Sequence, residues 1–292
     1  MYTLKIAILG PTASGKSALA VAVAKRIGGT VINGDPFQTY KELPLGTGQP
    51  REDEQDGVTH VGYGVFPLGT KINPFILGSY VKSWTECKNP VLVTGSGLYL
   101  RGIWGQLTDL PIVPECISFK VRNWSDTLKA SVLYGFLNAI DPVRAKALHP
   151  NDRSRVRRAI ALHLATGHRA SQLLDGIERG VPNGWQALLV LPSPERRHYR
   201  ISRRVIGMLS DGWLEEVASL RRLGLESEVR CLRPIGYEAL LDSPLEAAAG
   251  IIRETQAYAK RQSTFFRNQW PNIPVWDPDT SSLDVAFGLL NI

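Results

Sequence analysis

The sequence predicts an α/β protein, with a parallel β-sheet flanked by helices and a helical insertion. An apolar run at residues 4–9 precedes a glycine-rich turn and an alanine-rich helical segment. Further strand-like runs at residues 30–33 and 90–94 follow, with helical sequence before the latter, which is the rhythm of a parallel sheet with crossover helices. By contrast, residues 111–150 contain no strand-like run, and they are therefore predicted to form a helical insertion.

The remaining elements are predicted from periodicity, capping residues and breakers. Gly167 is expected to cap the helix that ends at Thr166. Parallel strands place their carboxyl ends at one edge of the sheet, so Gly10, Asp35 and Gly95 are expected to meet there. One more strand is predicted at residues 187–191, and helices are predicted at residues 73–88, 119–140, 151–166, 195–209, 211–223, 234–241 and 246–266.

The glycine-rich turn is the most specific motif in the chain. Residues 10–17 read G-P-T-A-S-G-K-S, a complete G-x-x-x-x-G-K-[ST] phosphate loop between a strand and a helix. In such a loop, backbone N–H groups and the positive end of the helix dipole point at a bound phosphate; Lys16 adds a charge, and the Ser17 hydroxyl suits Mg²⁺. The fold class is therefore that of a P-loop NTPase-like sheet. The expected phosphate-binding residues are Gly10, Pro11, Thr12, Ala13, Ser14, Gly15, Lys16 and Ser17.

Length and composition limit the class of protein that this chain can be. The 292 residues are 43% hydrophobic, enough to fill the core of one large or two modest domains. No apolar run approaches the roughly 18 residues of a membrane span, and the start does not read as a secretory signal, so a cytoplasmic protein is expected. The three cysteines, Cys87, Cys116 and Cys231, are far apart and odd in number. They favour reduced thiols over a disulfide framework or a zinc site.

Positive charge is concentrated in two parts of the chain. The net charge is +7, and two arginine-dense segments account for much of the excess. Such segments suggest a polyanionic partner, although a solvated helix face produces the same pattern. The first segment contains Arg153, Arg155, Arg157, Arg158 and Arg169, and the second contains Arg196, Arg197, Arg200, Arg203 and Arg204.

Asp35 is the candidate acid at the phosphate site. Hydrolysis of a nucleoside triphosphate normally requires a strand that ends in an acidic Mg²⁺ ligand, but the strand at residues 90–94 is followed by G-S-G. The acid instead follows the second strand. A carboxylate at this place can bind the metal through water or accept a proton from a nucleophile. An aspartate that only caps the turn ahead of Pro36 would give the same sequence.

Taken together, the motifs resemble those of the tRNA dimethylallyltransferases, also called tRNA isopentenyltransferases. The resemblance covers roughly residues 4–268, in the family's order, and the position of the last cysteine, Cys231, implies the shorter bacterial type. The motifs are the phosphate loop, D-P-F-Q-T-Y at 35–40, L-G-T at 45–47, V-T-G-S-G-L-Y-L-R at 93–101, P-N-D-R-S-R-V-R-R-A at 150–159, T-G at 166–167, R-P-I-G-Y at 233–237 and Y-A-K-R-Q-S-T-F-F-R at 258–267.

The resemblance implies a reaction and a set of catalytic residues. A dimethylallyl group would move from dimethylallyl diphosphate to the 6-amino group of the adenosine just 3′ of the tRNA anticodon. Asp35 would position that amine and accept its proton, and Thr12 would contact the substrate. Lys16 and Arg233 would stabilise the diphosphate leaving group, with Mg²⁺ as the cofactor at Ser17.

The resemblance also implies how the partner, a tRNA anticodon stem-loop, is held. Residues 1–110 and 151–292 would form the catalytic core, and residues 111–150 would form an insertion domain that contacts tRNA. The protein is expected to act as a monomer, away from membranes. Gln38 can offer both a donor and an acceptor to a base edge. Contacts with tRNA are implied for Asp35, Pro36, Phe37, Gln38, Ser96, Arg101, Ser154, Arg155, Val156, Arg157 and Arg158.

Departures from the family pattern keep alternatives open. Pro36 stands where the family usually has serine, which removes a hydroxyl and an N–H beside Asp35. Thr94 and Ser96 replace glycine and threonine, and Gln49 replaces a common lysine. The alternatives are an adenylate isopentenyltransferase that makes a cytokinin, a P-loop small-molecule kinase, and a non-catalytic RNA-binding paralogue. The two basic segments favour tRNA over a mononucleotide, and ATP turnover without a prenyl donor would favour the kinase.

Overall fold

The computed structural model describes residues 3–174 and 180–292, and these residues form one sheet of six parallel strands. The central strand is β1, where Ile8 pairs with Val93 on one side and Leu188 on the other. The predicted parallel sheet is confirmed. The strands are β1 (Lys5–Leu9), β2 (Thr30–Asn33), β3 (His60–Val61), β4 (Pro90–Thr94), β5 (Trp185–Val190) and β6 (Val275–Trp276), in the order β3-β2-β4-β1-β5-β6.

Helices connect the strands and fill the carboxyl-terminal part of the chain. The helices predicted at residues 151–166, 195–209, 211–223, 234–241 and 246–266 are present with ends within three residues, whereas the helix predicted at residues 73–88 ends at Lys82 and several short helices were not predicted. The helices are α1 (Lys16–Ile27), α2 (Pro44–Thr47), α3 (Glu52–Gln55), α4 (Pro74–Lys82), α5 (Gly97–Ile103), α6 (Glu115–Thr127), α7 (Ala130–Ile140), α8 (Pro142–Lys146), α9 (Arg153–Thr166), α10 (Ala170–Leu173), α11 (Pro194–Ser210), α12 (Trp213–Arg222), α13 (Glu226–Leu232), α14 (Tyr237–Asp242), α15 (Ala247–Gln269) and α16 (Leu283–Leu289), with a 3₁₀ turn at Phe37–Thr39.

Apolar side chains cover both faces of the sheet. Successive side chains of a strand point to opposite faces. Ile8 therefore packs with Val23 of α1 on one face, whereas Leu9 packs with Leu77 of α4 and Phe266 of α15 on the other. Because both faces are covered, the positions open to a ligand lie beyond the strand ends, at the carboxyl edge of the sheet.

The chain divides into two compact units, one of residues 1–105 with 179–292 and the other of residues 106–178. The second unit contains the predicted insertion but extends beyond it at both ends. It includes α9, which the sequence analysis placed in the catalytic core. The reason is the apolar side of α9: Val156 and Ile160 are buried with Val121 of α6 and Leu133 of α7.

Three local expectations differ from the structure. The helix predicted at residues 119–140 is broken at Leu128 and Lys129, which are extended, so that α6 and α7 can each pack against α9. The short edge strands β3 and β6 were not predicted. Each has two residues, too few to show strand alternation, and each is defined by pairing, as of Val31 with His60.

Gly167 caps α9 in a left-handed conformation (φ 73°), as predicted. Throughout residues 3–174 and 180–292, no helix combines the length and apolar character needed to cross a bilayer.

Candidate active site

The phosphate loop joins β1 to α1 through a backbone path that depends on its glycines. Gly10 has φ 156°, and a Cβ there would lie 2.5 Å from the Val190 carbonyl oxygen. Gly15 is left-handed (φ 94°), and so is the non-glycine residue Ala13 (φ 58°). No side chain caps α1, and its first turn contains no acid. The N-terminus of α1 is therefore suited to an anion.

Lys16 begins α1, and its ammonium group donates a hydrogen bond to the Pro11 carbonyl oxygen (3.2 Å). The pKa of Lys16 is lowered from its ordinary 10.5 to about 8, chiefly by burial and also by the positive charge of Arg204, while Asp35 opposes both effects. A buried ammonium group beside another cation is stabilised by an incoming anion. The site is therefore electrostatically prepared for a phosphate or diphosphate.

Asp35 is held at the end of β2 by its own turn. Asn33 accepts from the Asp35 N–H (2.8 Å) and donates to the carbonyl oxygens of Asp35 (3.0 Å) and Gly62 (2.9 Å). One carboxylate oxygen of Asp35 accepts from the Phe37 N–H (3.0 Å). Burial raises the pKa of Asp35, while Lys16 and the backbone N–H groups oppose that rise. A carboxylate with a raised pKa is a stronger base than an ordinary one.

Pro36 fits the turn that follows Asp35. It has φ −63° and ψ −36° and precedes the 3₁₀ turn, and its carbonyl oxygen accepts from the Thr39 hydroxyl (2.6 Å). The proline ring fixes φ near this value. The N–H that binds the Asp35 carboxylate is that of Phe37, so a serine N–H at position 36 is not part of this contact. Pro36 is therefore compatible with the contact between the Asp35 carboxylate and the Phe37 N–H.

Gln38 differs from the expectation that it offers a donor and an acceptor. Its amide nitrogen donates to the carbonyl oxygens of Thr47 (3.1 Å) and Gly48 (2.7 Å). Both of its N–H groups are thereby used. Gln38 presents only its carbonyl oxygen, Oε1, to a ligand.

One cavity of about 300 Å³ collects the four predicted catalytic residues and three further predicted site residues. Thr12, Lys16, Ser17, Asp35, Phe37, Gln38 and Arg233 all line it. The side chains that complete the wall include Thr47, Val93, Thr94, Arg204, Val205, Met208, Trp213, Pro234, Ile235, Glu254, Thr255, Tyr258, Arg261 and Gln262. The cavity therefore joins a cationic phosphate site, a carboxylate and apolar surface in one space.

The order of these motifs is that of a known family. Residues 38–269 match the IPP transferase family, and residues 4–63 match the isopentenyl transferase family. The chain belongs to the IPP transferase family. The resemblance identified from the sequence motifs is confirmed, and so is the prediction of a prenyl-transferring enzyme.

Similar proteins and structures cover nearly the whole chain. A protein of Methylorubrum populi named tRNA dimethylallyltransferase is 35% identical over 301 residues, covering 98% of this chain and 94% of the relative. The structure of the full-length tRNA isopentenylpyrophosphate transferase of Bacillus halodurans has a TM-score of 0.68 and 27% identity, covering 100% of this chain and 97% of that one. A eukaryotic dimethylallyltransferase acting on tRNA has a TM-score of 0.77 and 25% identity, covering 99% and 79%. The P-loop NTPase-like fold is thereby confirmed.

In this IPP transferase family member, Gln262 is a site residue that the sequence analysis did not assign. Its Oε1 accepts from the Thr12 N–H (2.9 Å), and its Nε2 donates to the Gly95 carbonyl oxygen (2.8 Å). The side chain is buried. Gln262 thus ties α15 to the phosphate loop and to the end of β4. The A-K-R-Q motif was visible in the sequence, but its contact lies too far along the chain to be predicted.

Two arginines of α11 also reach the phosphate loop. Arg200 donates to the Ser14 carbonyl oxygen (3.1 Å) and pairs with Asp279 (2.6 Å). Arg204, one turn later, lines the cavity and makes no hydrogen bond or ion pair within the described residues. Burial lowers its pKa, while Glu54 and Asp35 oppose that change. This arginine-dense segment suggested either a polyanionic partner or a solvated helix face, whereas Arg204 lines the cavity.

The residues implied to contact tRNA lie in different places. Ser96 and Arg101 are partly exposed near the end of β4 and on α5, and neither lines the cavity. Ser154, Arg155 and Arg158 are exposed on α9.

Two of the residues implied to contact tRNA have buried side chains. The Val156 side chain is 1% exposed in the core of its unit, and Pro36 is buried beneath its turn. Arg157 is half-buried, and Arg155 already pairs with Asp152 (3.2 Å). Of the residues of α9 that are implied to contact tRNA, Ser154, Arg155 and Arg158 are therefore the exposed ones.

A Mg²⁺ ion would find few protein ligands at this site. Ser17 is exposed at the start of α1, and both Ser17 and Asp35 line the cavity. Among the described residues, no three or more His, Cys, Asp and Glu side chains are arranged to hold a metal ion. Mg²⁺ is commonly bound by one or two protein oxygens together with substrate phosphates and water. The residues present fit such a site.

Proposed function

We propose that this chain transfers a dimethylallyl group from dimethylallyl diphosphate to the 6-amino group of the adenosine on the 3′ side of the anticodon in tRNA. One observation supports this proposal most strongly: a single cavity is lined by Lys16 and Arg204 on the phosphate side and by Asp35 close to them. The names of the relatives, tRNA dimethylallyltransferase among them, point to the same reaction.

The phosphate side of the cavity binds the leaving group. The bond between the allylic carbon and the diphosphate oxygen breaks, and its electron pair moves to that oxygen. The negative charge that develops is met by Lys16, Arg204 and the N–H groups of the loop. Arg233 lines the same cavity and adds a third cation. Fixed charges in a partly desolvated site stabilise such a transition state more than they stabilise the substrate.

Asp35 acts on the acceptor. The adenine amine forms the new carbon–nitrogen bond and must lose a proton, which the Asp35 carboxylate accepts. The raised pKa of Asp35 suits this role, because its carboxylate binds a proton more strongly than an exposed aspartate does. Thr12 lines the cavity beside the reacting groups. The products are the prenylated adenosine, diphosphate and a proton.

We further propose that the Ser17 hydroxyl would hold Mg²⁺ together with the phosphate oxygens of the substrate. When bound, Mg²⁺ supplies positive charge to the leaving diphosphate. Arg155 and Arg158 of α9 would follow the phosphate backbone of the anticodon stem-loop, and the unit of residues 106–178 would contact tRNA. The acting species would be a monomer in the cytoplasm, because one chain supplies the whole cavity and tRNA is the acceptor.

The deciding experiment is mass analysis of an anticodon stem-loop incubated with the protein, dimethylallyl diphosphate and Mg²⁺. We expect one dimethylallyl group to replace one hydrogen on the adenosine 3′ of the anticodon. Asp35→Ala is expected to bind the stem-loop nearly normally and to lower turnover by about 10²-fold or more.

Parallel reactions distinguish the alternatives. Faster prenylation of AMP than of the stem-loop would indicate an adenylate isopentenyltransferase. ATP turnover without a prenyl donor would indicate a kinase. Stem-loop binding with no transfer to any acceptor would indicate a non-catalytic RNA-binding protein.

A further inference from the structure

A contact distant from the reacting groups governs how Gln38 faces the cavity. Gln38 lines the cavity with Asp35, and its two amide N–H groups are held by the carbonyl oxygens of Thr47 and Gly48. Within the described residues, Gln38 Oε1 makes no hydrogen bond. The orientation of this amide is therefore decided by the carbonyl groups at the end of α2.

Helix α2 is only four residues long, and no side chain of its own caps it. The last carbonyl groups of any helix lack partners within the helix, and here Gln38 supplies two hydrogen bonds at that end. An isolated helix of this length is not stable in water. Its position must therefore come from contacts with other elements.

Glu216 of α12 supplies the main polar contact. Its Oε2 accepts from the Leu45 N–H (2.7 Å), and its Oε1 accepts from the Gly46 N–H (3.2 Å) and from the Tyr237 hydroxyl (2.5 Å). Burial raises the pKa of Glu216, while these three hydrogen bonds oppose that rise. A carboxylate that accepts N–H groups from the first turn of a helix is a charge-assisted contact.

Gly46 lies against two aromatic side chains, those of Trp213 and Tyr237. A Cβ on Gly46 would approach the Tyr237 hydroxyl to 2.5 Å and would also meet the Trp213 ring. The rings of Trp213 and Tyr237 meet edge to face, with centroids 5.5 Å apart. The α2 backbone is therefore fixed on one side by aromatic rings and at its start by Glu216.

We propose that Glu216 is a positioning residue for Gln38. It fixes α2, the terminal carbonyl groups of α2 hold both N–H groups of Gln38, and Gln38 is left as a hydrogen-bond acceptor in the cavity. The proposal rests on the proposed function, since it assigns Gln38 to the acceptor base. A base that presents an N–H group, as the adenine amine does, satisfies this acceptor. A base that presents only a carbonyl oxygen there leaves two acceptors facing each other.

The test is a double-mutant cycle of Glu216→Gln and Gln38→Leu with the anticodon stem-loop as acceptor. The amide that replaces the carboxylate has one acceptor oxygen and so cannot accept both backbone N–H groups in the same way. We expect Glu216→Gln alone to lower kcat/KM for the stem-loop by about 10-fold and to leave the KM for dimethylallyl diphosphate unchanged. In the Gln38→Leu background, Glu216→Gln is expected to lower kcat/KM for the stem-loop by less than about 2-fold. An equal loss in both backgrounds would overturn the proposal.

Two matched variants separate positioning from general destabilisation. Glu215→Gln changes the adjacent residue of α12, which is exposed and pairs with Arg222 (2.6 Å), and it is expected to change neither constant. Tyr237→Phe removes one donor to Glu216 but leaves both backbone contacts, so its effect on the stem-loop is expected to be smaller than that of Glu216→Gln. A larger effect would assign the positioning role to Tyr237 instead.

A spectroscopic measurement tests the same contact without turnover. The side-chain amide protons of Gln38 are expected to exchange slowly with solvent in the wild type and quickly in Glu216→Gln, as followed by NMR. Glu216→Asp, whose shorter side chain cannot reach both N–H groups, serves if Glu216→Gln does not fold. Unchanged protection of Gln38 would overturn the proposal. If Glu216→Gln loses the protection of the Gln38 amide but the wild type prenylates no stem-loop, the positioning role of Glu216 stands and only the proposed function is contradicted.

Discussion

Thr12 and Gln262 are 250 positions apart in the sequence, and a hydrogen bond of 2.9 Å joins the Thr12 N–H to the Gln262 side chain. The same amide donates to Gly95 at the end of β4. One buried side chain thus connects the phosphate loop, the central sheet and the long helix α15. The precision of the phosphate site depends on a residue from the far end of the chain.

Gln262→Leu is expected to loosen the phosphate loop. The Thr12 N–H and the Gly95 carbonyl group lose their partner, which costs about 1–3 kcal/mol for each group left unsatisfied. We expect a lower free energy of unfolding in urea and a fall in kcat/KM for dimethylallyl diphosphate of about 10-fold or more. Gln256→Leu, on the same helix but outside the cavity, is the control. Wild-type kinetics in Gln262→Leu would remove this residue from the site.

Arg204→Met tests whether the Arg204 guanidinium in the cavity binds the diphosphate. A charge-assisted hydrogen bond contributes about 1.5–3 kcal/mol, so kcat/KM for dimethylallyl diphosphate is expected to fall by about 10- to 100-fold. Stem-loop binding should change little. Arg203→Met is the matched control, because Arg203 is exposed and packs over the Tyr199 ring (5.9 Å). Equal losses in the two variants would contradict the assignment.

The pH dependence of kcat/KM should report the two perturbed groups of the cavity. Lys16 has a pKa lowered to about 8, so activity is expected to fall as the pH rises through that value and the ammonium group loses its proton. Burial raises the pKa of Asp35, so activity should fall on the acid side at a higher pH than for an exposed aspartate.

The alkaline limb provides an internal check on this assignment. The charge of Arg204 is one cause of the low pKa of Lys16, so Arg204→Met is expected to move that limb to higher pH. The alkaline limb of the kcat profile reports the enzyme with dimethylallyl diphosphate bound. It should lie at higher pH than the alkaline limb of kcat/KM, because the bound anion stabilises the Lys16 ammonium group. An alkaline limb that does not move in Arg204→Met would mean that another group titrates there.

Charge reversal on α9 tests the tRNA surface. Arg155 and Arg158 are both exposed and three positions apart on α9, so they share a face. Replacing both with Glu should weaken stem-loop binding steeply and flatten its salt dependence, since fewer counterions are released. Prenylation of AMP serves as the control, because a mononucleotide has no backbone to follow that surface. Unchanged stem-loop kinetics would remove α9 from the tRNA interface.

The phosphate loop and its reaction class were determined by the sequence alone. The residues that identify the loop lie within positions 10–17 and the adjoining strand and helix, so the motif and its context can be read from contiguous sequence. The same holds for Asp35, which follows a strand, donates its N–H to Asn33 and accepts from the Phe37 N–H, all within five residues. Parallel topology then requires both to lie at one edge of the sheet.

Tertiary structure alone decided which other side chains reach that edge. Arg204 and Gln262 belong to helices of the distant half of the chain, and whether an arginine faces a cavity or solvent depends on helix rotation. The acceptor-only character of Gln38 and the place of α9 in its own unit likewise arise from packing between remote segments. Such contacts have no local sequence signature, because they form only when the chain brings together surfaces that are complementary in three dimensions.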